Sequence, residues 1–407
     1  MKVFQSLDDA LEHATDAHAL RLNCKGLDRI PDDIARLEEL RSLSLVGIHG
    51  DLEVSRALGE LPHLAAISVE GPKDASVPLP SRLFETAVTD LKLKNVRVNH
   101  ALPMAEQLTH LRLASHFIFD DIDLVCEHLT GLVYLEVWGH FARDIDGQRS
   151  HLVIPPAVEH LERLEEIEVV SAGLAELPVE FARLDNLQTV RLRNNAFDHF
   201  PLTLTELPKL ESLEFAQMKQ VTAYPAEMAT MEKLRRLDLE GSWNHGDLPS
   251  SWAQAEYAEL PEVIGELHNL EALDVGQCAL PSLAPLSPLT ELRELSVSWG
   301  AFEDLSPLES LQALEVLSLD DGWVEDISPL AKLERLRVLD ILQTNVEDLT
   351  PLAGLDHLES LDIQGTPADD DPAASLEPLL RLPKLEKVHA TDFSDEAWTA
   401  LVDAQRG

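Results

Sequence analysis

The sequence predicts an α/β solenoid of about sixteen short repeats stacked along one axis. The first observation behind this prediction is a fixed period: apolar–x–apolar triplets begin at Leu295, Leu317, Leu339 and Leu361, each 22 residues after the last. The second is that looser copies of this triplet recur along almost the whole chain of 407 residues. The third is composition, because 45% apolar and only 5% aromatic residues suit an aliphatic ladder better than a globular aromatic core.

Each triplet predicts one short β-strand, since apolar and variable residues alternate over three to five positions. Stacked side by side, such strands would form a parallel, concave sheet about 75 Å long at about 4.8 Å per strand. The predicted strand centres are Leu20/Leu22, Leu43/Leu45, Ile67/Val69, Leu91/Leu93, Leu111/Leu113, Leu135/Val137, Ile167/Val169, Val190/Leu192, Leu213/Phe215, Leu237/Leu239, Leu273/Val275, the four triplets above and the region of Val388.

The second half of each repeat predicts a short helical turn on the convex side. One pattern places a proline after an apolar residue, as in Ile30-Pro31, and the other reads Leu-Ser-Pro-Leu, as at 305–308. Proline suits the first turn of a helix, and a preceding Ser or Thr can cap that turn. The whole unit reads L-x-x-L-x-L-x-x-N/C-x-L. It predicts a leucine-rich-repeat solenoid, a curved horseshoe with a concave parallel sheet and convex α or 3₁₀ turns.

The ninth position of the repeat, counted so that the strand apolars are four and six, faces a buried turn whose backbone groups need partners. Asn195, Cys278, Thr344 and Thr366 occupy it, which predicts a structural role for Cys278 rather than a nucleophilic one. Cys24 is expected on the concave face as a lone thiol. The three cysteines lie too far apart to predict a disulfide framework.

Three segments are expected along the chain. They are an N-terminal helical cap over residues 1–18, the solenoid over residues 19–390 and a C-terminal helical cap over residues 391–407. Ser6 followed by Asp9 reads as a helix-capping pair, and Trp398 is expected to cover the last strand.

The residue between the two strand apolars points to the concave face. Copy by copy it is Arg21, Ser44, Ser68, Lys92, Arg112, Glu136, Glu168, Arg191, Glu214, Asp238, Asp274, Ser296, Ser318, Asp340 and Asp362. The N-terminal third of this column is neutral to basic, and from Glu214 onward the column is acidic or small. Exposed aromatic residues often anchor protein interfaces, and two tryptophans also fall on concave positions. The predicted partner-binding residues are Tyr134, Glu136, Trp138, Glu214, Asp238, Glu240, Asp274, Trp299, Asp320, Asp340 and Asp362.

The formal net charge is −41, and residues 259–407 hold 8 Lys/Arg against 31 Asp/Glu. The electric field of so much negative charge repels nucleic acid and anionic lipid and favours a basic protein partner. The alternative is that the acidity only keeps a leucine-rich surface soluble. No stretch approaches the about 18 apolar residues that span a bilayer, and the N-terminus turns acidic at once, so we expect a cytoplasmic protein.

Two insertions, at about residues 139–160 and 241–260, interrupt the repeats. They are candidate binding loops, although neutral loop growth explains them equally well. Their histidine and acidic side chains include His140, Asp144, Asp146, His151, His245 and Asp247. These are possible zinc ligands, but they lack helical spacing, and we expect neither metal nor cofactor.

Two stretches carry a resemblance to a known family. The run from Ser6 through Leu20-Arg21-Leu22 to Ile34 resembles the opening of free-standing bacterial leucine-rich-repeat proteins. The copies D-I-S-P-L at 326–330 and D-L-T-P-L at 348–352 are similar to the 22-residue class of bacterial internalins. The resemblance implies this fold for nearly the whole chain and a role in protein binding.

We therefore predict a non-enzymatic scaffold or regulator that binds a basic protein through its concave face. A monomer is favoured, with no cofactor, no nucleic acid and no membrane involved. A host-directed secreted effector that acts by protein binding is the alternative. A metal-dependent enzyme that uses the insertion-loop His and Asp residues is the third hypothesis.

Overall fold

The computed structural model describes residues 2–50, 52–72, 77–80, 82–83, 86–97, 107–115, 122–139, 151–218, 220–221, 223–242, 259–391, 393 and 395–406. The chain divides into two units. Unit 1 comprises Met1–Ala196 with Glu206–Lys209, and unit 2 comprises Phe197–Thr205 with Leu210–Gly407. Within the described residues, each predicted apolar triplet forms a strand, and the strands of each unit run parallel in chain order.

Unit 1 contains eight strands of the repeat type among its described residues, and each has five or six residues. A short parallel pair, β4 with β6, lies beside them and was not predicted. The strands of unit 1 are β1 Ala19–Asn23, β2 Ser42–Val46, β3 Ala66–Glu70, β4 Val77–Pro78, β5 Asp90–Lys94, β6 Val96–Arg97, β7 His110–Ser115, β8 Tyr134–Gly139, β9 Glu166–Val170 and β10 Thr189–Arg193.

Unit 2 contributes eight strands among its described residues, each of three residues only. They are β11 Ser212–Glu214, β12 Arg236–Asp238, β13 Ala272–Asp274, β14 Glu294–Ser296, β15 Val316–Ser318, β16 Val338–Asp340, β17 Ser360–Asp362 and β18 Lys387–His389. The register places like positions side by side, so that Leu295 faces Leu317 and Leu317 faces Leu339. These leucines are almost fully buried, and each contributes roughly 1.5–3 kcal/mol of apolar burial.

Short helices return the chain between strands, as predicted. The α-helices are α1 Leu7–Glu12, α2 Ile122–His128, α3 Pro372–Ser375 and α4 Asp395–Arg406. The 3₁₀ helices of the described residues are Asp32–Arg36, Arg56–Glu60, Pro156–His160, Val179–Arg183, Leu202–Glu206, Ala226–Thr230, Glu262–Glu266, Ala284–Leu286, Ser306–Ser310, Ser328–Lys332, Thr350–Gly354, Pro367–Asp370 and Glu377–Leu379.

The caps of the C-terminal turns differ from the prediction. Ser306 was expected to cap its helix, but the acceptor is Asp304, whose Oδ1 lies 2.8 Å from the backbone N of Ser306. The Ser306 hydroxyl instead donates to Asp304 Oδ2 at 3.0 Å. The same arrangement recurs at Asp326 with Ser328. A carboxylate two residues upstream reaches the free N–H and is a stronger acceptor than a hydroxyl, so it takes the capping role.

The buried turn at position nine is satisfied as predicted. Asn195 makes four hydrogen bonds: its Oδ1 accepts from the backbone N of Ala172 and Leu174, both at 3.2 Å, and its Nδ2 donates to two carbonyls. Cys278 Sγ donates to Gly276 O at 3.2 Å. The hydroxyls of Thr344 and Thr366 each donate to a carbonyl three residues earlier at 2.7 Å.

The expectation for Cys24 was wrong. Its side chain is fully buried rather than on the exposed strand face, and its Sγ donates to Leu22 O at 3.7 Å. The alternation of β1 continues through this residue, so Cys24 faces the core on the same side as Leu20 and Leu22, and its N–H donates to Val46 O at 2.8 Å. Burial raises the pKa of the Cys24 thiol to about 11.

Helices lie at both ends of the described chain. Ser6 Oγ accepts the Asp9 N–H at 3.2 Å, so the predicted capping pair opens α1. In α4, Trp398 is buried, and its indole N–H donates to Leu385 O at 3.0 Å just before β18.

Candidate functional site

The exposed strand face of unit 2 carries the predicted carboxylates in one register. Glu214 faces Asp238, which faces Asp274; further along, Asp340 faces Asp362. We call Glu214, Asp238, Asp274, Asp340 and Asp362 the acidic column. Each is half-buried and is the last residue of its strand. Ser296 and Ser318 fill the two positions between Asp274 and Asp340.

Four carboxylates of the acidic column are held by their own backbone. Asp238 Oδ1 accepts the N–H of Glu240 at 2.9 Å, and Asp274 Oδ1 accepts that of Gly276 at 2.8 Å. Asp340 and Asp362 accept the N–H two residues further on, each at 3.0 Å. Aspartate favours this local side-chain-to-backbone turn. The side chains therefore have fixed orientations before any partner arrives.

A second acidic group lies in the middle of the column. The hydroxyls of Ser298 and Ser318 both donate to Asp320 Oδ1. Burial, and then the neighbouring Asp320, raise the pKa of Asp321. Burial also raises the pKa of Asp340; the Leu342 N–H opposes this shift, while Asp320, Asp362 and Asp321 add to it. Carboxylates gathered here repel one another, which a cation from a partner would relieve.

Two other predicted residues of unit 2 flank the column. Glu240 Oε1 accepts from Gln277 Nε2 at 2.5 Å, so its carboxylate is tied to the next repeat. Trp299 is half-buried and has a left-handed backbone with φ of 61°. Its backbone N–H donates to Asp320 O at 2.8 Å, three residues after the carboxyl end of β14.

Three arginines of unit 2 lie at a different position, the residue just before strands β12, β14 and β16. Arg293 Nη1 lies 2.8 Å from Glu315 Oε1, and Arg337 lies 3.5 Å from Glu315 and 2.9 Å from Glu359. The same pairing joins Arg235 to Glu271 at 3.6 Å. This row of alternating charges neutralises itself, so these arginines are engaged outside the acidic column.

The predicted residues of unit 1 form a connected polar network on β8. Tyr134 Oη lies 3.0 Å from Glu136 Oε2 and 3.4 Å from Glu168 Oε2. Trp138 Nε1 donates to Glu168 Oε1 at 3.2 Å. Arg112 Nε lies 3.2 Å from Glu136 Oε2. Burial, followed by the hydrogen bond to Glu136, raises the pKa of Tyr134, so its hydroxyl remains a donor.

Some expected site residues lie outside the described residues. They are His140, Asp144, Asp146, His245 and Asp247. His151 is described, and its Nδ1 lies 3.0 Å from Gly173 O, a backbone contact. In the part of the chain that the structure describes, no group of three His, Cys, Asp or Glu side chains is arranged to hold a metal ion. None of the described helices has the length and apolar character needed to cross a bilayer.

The sequence reasoning missed two residues that belong to these surfaces. Glu168 stood in the concave column but was not selected, although it contacts both Tyr134 and Trp138. Asp321 was not selected either, although its carboxylate is close enough to Asp320 for the two charges to interact. For Glu168 the available signal was its diagonal position on the adjacent strand, since side chains on neighbouring strands of one face reach each other.

Comparison with known proteins supports the fold. The chain is similar to a leucine-rich-repeat protein of Leptospira interrogans, with a TM-score of 0.64, 20% identity and coverage of 95% of this chain and 99% of that one. The fold is a leucine-rich-repeat solenoid. An internalin of Listeria monocytogenes is also similar, with a TM-score of 0.57, 17% identity and coverage of 79% and 87%.

Sequence relatives match over shorter lengths. Adenylate cyclase of Schizosaccharomyces pombe is 31% identical to this leucine-rich-repeat chain over 135 residues, which are 33% of the chain and 7% of that protein. The chain spans a fifth or less of the length of the curated relatives it matches. No family model matches it.

Proposed function

We propose that this leucine-rich-repeat protein is a non-enzymatic scaffold that binds a basic protein through the acidic column of unit 2. One observation carries the proposal: four carboxylates in register, those of Asp238, Asp274, Asp340 and Asp362, are each fixed by a backbone N–H. Each of these hydrogen bonds uses one carboxylate oxygen of an aspartate on the exposed strand face.

Fixed carboxylates favour binding because less side-chain entropy is lost when a partner is engaged. The raised pKa of Asp340 supports the same conclusion, since burial and the nearby acids disfavour its charge until a cation approaches. A cationic partner surface would offset both the burial of this charge and its repulsion by the nearby acids. Charge complementarity of this kind sets partner choice and association rate more than total affinity.

The solubility alternative accounts for the column less well. Solubility needs exposed charge but no fixed orientation, and unit 2 has such charge elsewhere. Glu303, Glu325 and Glu347 recur every 22 residues on exposed turns that follow the strands. They provide a matched comparison for the acidic column, because the same number of charges can be removed at either place.

The experiment compares two triple variants as baits in lysate of the source organism, with captured proteins identified by mass spectrometry. Asp274→Asn/Asp340→Asn/Asp362→Asn removes three charges but keeps the oxygen that accepts the backbone N–H. Glu303→Gln/Glu325→Gln/Glu347→Gln is the control. The proposal predicts that basic proteins captured by the wild type are lost with the first variant and kept with the second. Equal capture by both variants contradicts it.

We further infer that the protein works as a monomer in the cytoplasm. Cys24, Cys126 and Cys278 are buried and form no disulfide, and thiols of this kind suit a reducing compartment. Light scattering coupled to gel filtration tests the monomer, and fractionation of the source cells tests the compartment.

A further inference from the structure

Trp138 is an exposed aromatic residue anchored on the strand face of unit 1. Its side chain is 41% exposed, although the residue lies within β8. Its register neighbours on β7 and β9 are Ala114 and Val170, both smaller than the indole. The indole is held by the hydrogen bond from Nε1 to Glu168 Oε1 at 3.2 Å. A fixed ring that projects above small neighbours offers its face to a partner.

The carboxylate beside this ring is also held in place. Glu168 Oε1 accepts from the indole N–H of Trp138, and its Oε2 lies 3.4 Å from the Tyr134 hydroxyl, whose single proton goes to the nearer Glu136. On the adjacent strand position, Glu166 is in ion-pair contact with Arg191. The register also places Arg191 opposite Glu168, whose Oε1 lies 3.2 Å from the indole nitrogen of Trp138.

The same face shows how such a pair holds a guanidinium group. Arg112 lies with its Cζ 5.1 Å from the centroid of the Tyr134 ring. Its Nη1 donates to Asp90 Oδ1 at 2.7 Å and to Oδ2 at 2.9 Å, and its Nε lies 3.2 Å from Glu136. An aromatic face and carboxylates thus bind one arginine of this chain. Trp138 with Glu168 repeats the aromatic and acidic parts of that arrangement.

We propose that Trp138 and Glu168 form a subsite for an arginine side chain of a partner protein. The guanidinium group stacks on the indole face, while Glu168 supplies the opposite charge beside it. Arginine is the expected residue because its planar group stacks on aromatic rings and matches carboxylates better than an ammonium group does. The inference deepens the proposed function and rests on protein binding, but its residues belong to unit 1 rather than to the acidic column.

The test uses ¹⁹F NMR of the full chain labelled with 5-fluorotryptophan, in which Trp138→Phe identifies the Trp138 resonance among those of six tryptophans. The probes are acetyl-Gly-Arg-Gly-amide and its citrulline analogue, which has the same shape without the charge. The Trp138 resonance is expected to move with the arginine peptide at a Kd about three-fold or more below that of the citrulline peptide.

Variants separate the subsite from the acidic column. Glu168→Gln keeps an oxygen that accepts the indole N–H but removes the charge, and it should reduce the preference for the arginine peptide to what stacking on the indole alone supplies. Asp340→Asn/Asp362→Asn should leave that preference unchanged. No movement of the Trp138 resonance, or equal affinity for both peptides, overturns the subsite while leaving capture by the acidic column intact. If both triple variants capture basic proteins equally while the Trp138 resonance still prefers the arginine peptide, the proposed function of the acidic column is overturned and the subsite is not.

Discussion

Asp340 closes the end of its own strand: its Oδ1 accepts the backbone N–H of Leu342 at 3.0 Å. The same carboxyl faces Asp362 on the next strand and lies near Asp320, so it combines a turn-forming role with a place in the acidic column. The two roles separate under substitution, because asparagine keeps the acceptor oxygen and removes the charge.

The first prediction concerns the stability that this hydrogen bond supplies. Asp340→Ala should lower the free energy of unfolding by about 1 kcal/mol, because the Leu342 N–H loses its acceptor. Asp340→Asn should be neutral or slightly stabilising at neutral pH, since it keeps the bond and removes a repelled charge. Urea denaturation measures both. An equal decrease in the free energy of unfolding in both variants would mean that the charge, rather than the hydrogen bond, stabilises the turn.

The second prediction concerns pH. The pKa values of Asp321 and Asp340 are raised above the ordinary 3.8 in the folded protein. Their contribution to stability is therefore fully present below the unfolded value and is lost as pH rises through the folded values. The double variant Asp321→Asn/Asp340→Asn should gain stability relative to the wild type between pH 4 and pH 7. Thermal unfolding of both proteins across this range gives the difference, and a gap that stays constant with pH would refute the prediction.

The third prediction concerns Asn195, whose side chain makes four hydrogen bonds in the turn after β10. Asn195→Ala should lower the free energy of unfolding by about 2–3 kcal/mol, because partly buried backbone groups lose their partners. Cys278→Ser is the matched control at the equivalent position, since a hydroxyl can also donate to Gly276 O. Cys278→Ser should lower the free energy of unfolding by clearly less than Asn195→Ala in the same denaturation assay.

The fourth prediction concerns thiol reactivity. Burial raises the pKa of Cys24 to about 11 and that of Cys126 to about 12; the nearby acids Asp123 and Glu127 add to the latter shift. Little thiolate forms at pH 8, so both residues should react with a disulfide reagent about a hundred-fold more slowly in the native protein than in denaturant. Mass spectrometry of the labelled protein identifies each site. Rapid labelling of native Cys24 would show that its burial is incomplete.

Much of the fold was predictable because inward leucines impose the repeat. The triplets located each strand, as Leu295 and Leu317 illustrate, since burying apolar side chains at a fixed period leaves few alternatives. Position nine was predictable for a similar reason, because a buried turn needs a donor or acceptor such as Asn195. Cys24 was misplaced although it follows Leu20 and Leu22 at the period of two that points side chains to the same face.

The candidate site was less predictable than the fold. Register placed Asp340 beside Asp362, but the sequence did not indicate that each carboxylate binds its own backbone, because this depends on side-chain torsions. The capping role of Asp304 was missed for the same reason. Glu168 was missed because its contact is with Trp138 on the neighbouring strand β8. The order of residues along one strand does not show contacts between strands.

The most direct test of the central claim is calorimetric binding of a captured basic partner to the wild type and to Asp274→Asn/Asp340→Asn/Asp362→Asn at low and high salt. Charge pairing predicts that the wild-type affinity falls as salt rises, because ionic strength screens the column. The variant should bind more weakly at low salt and depend less on salt. Unchanged affinity and an unchanged salt dependence in the variant would contradict the account.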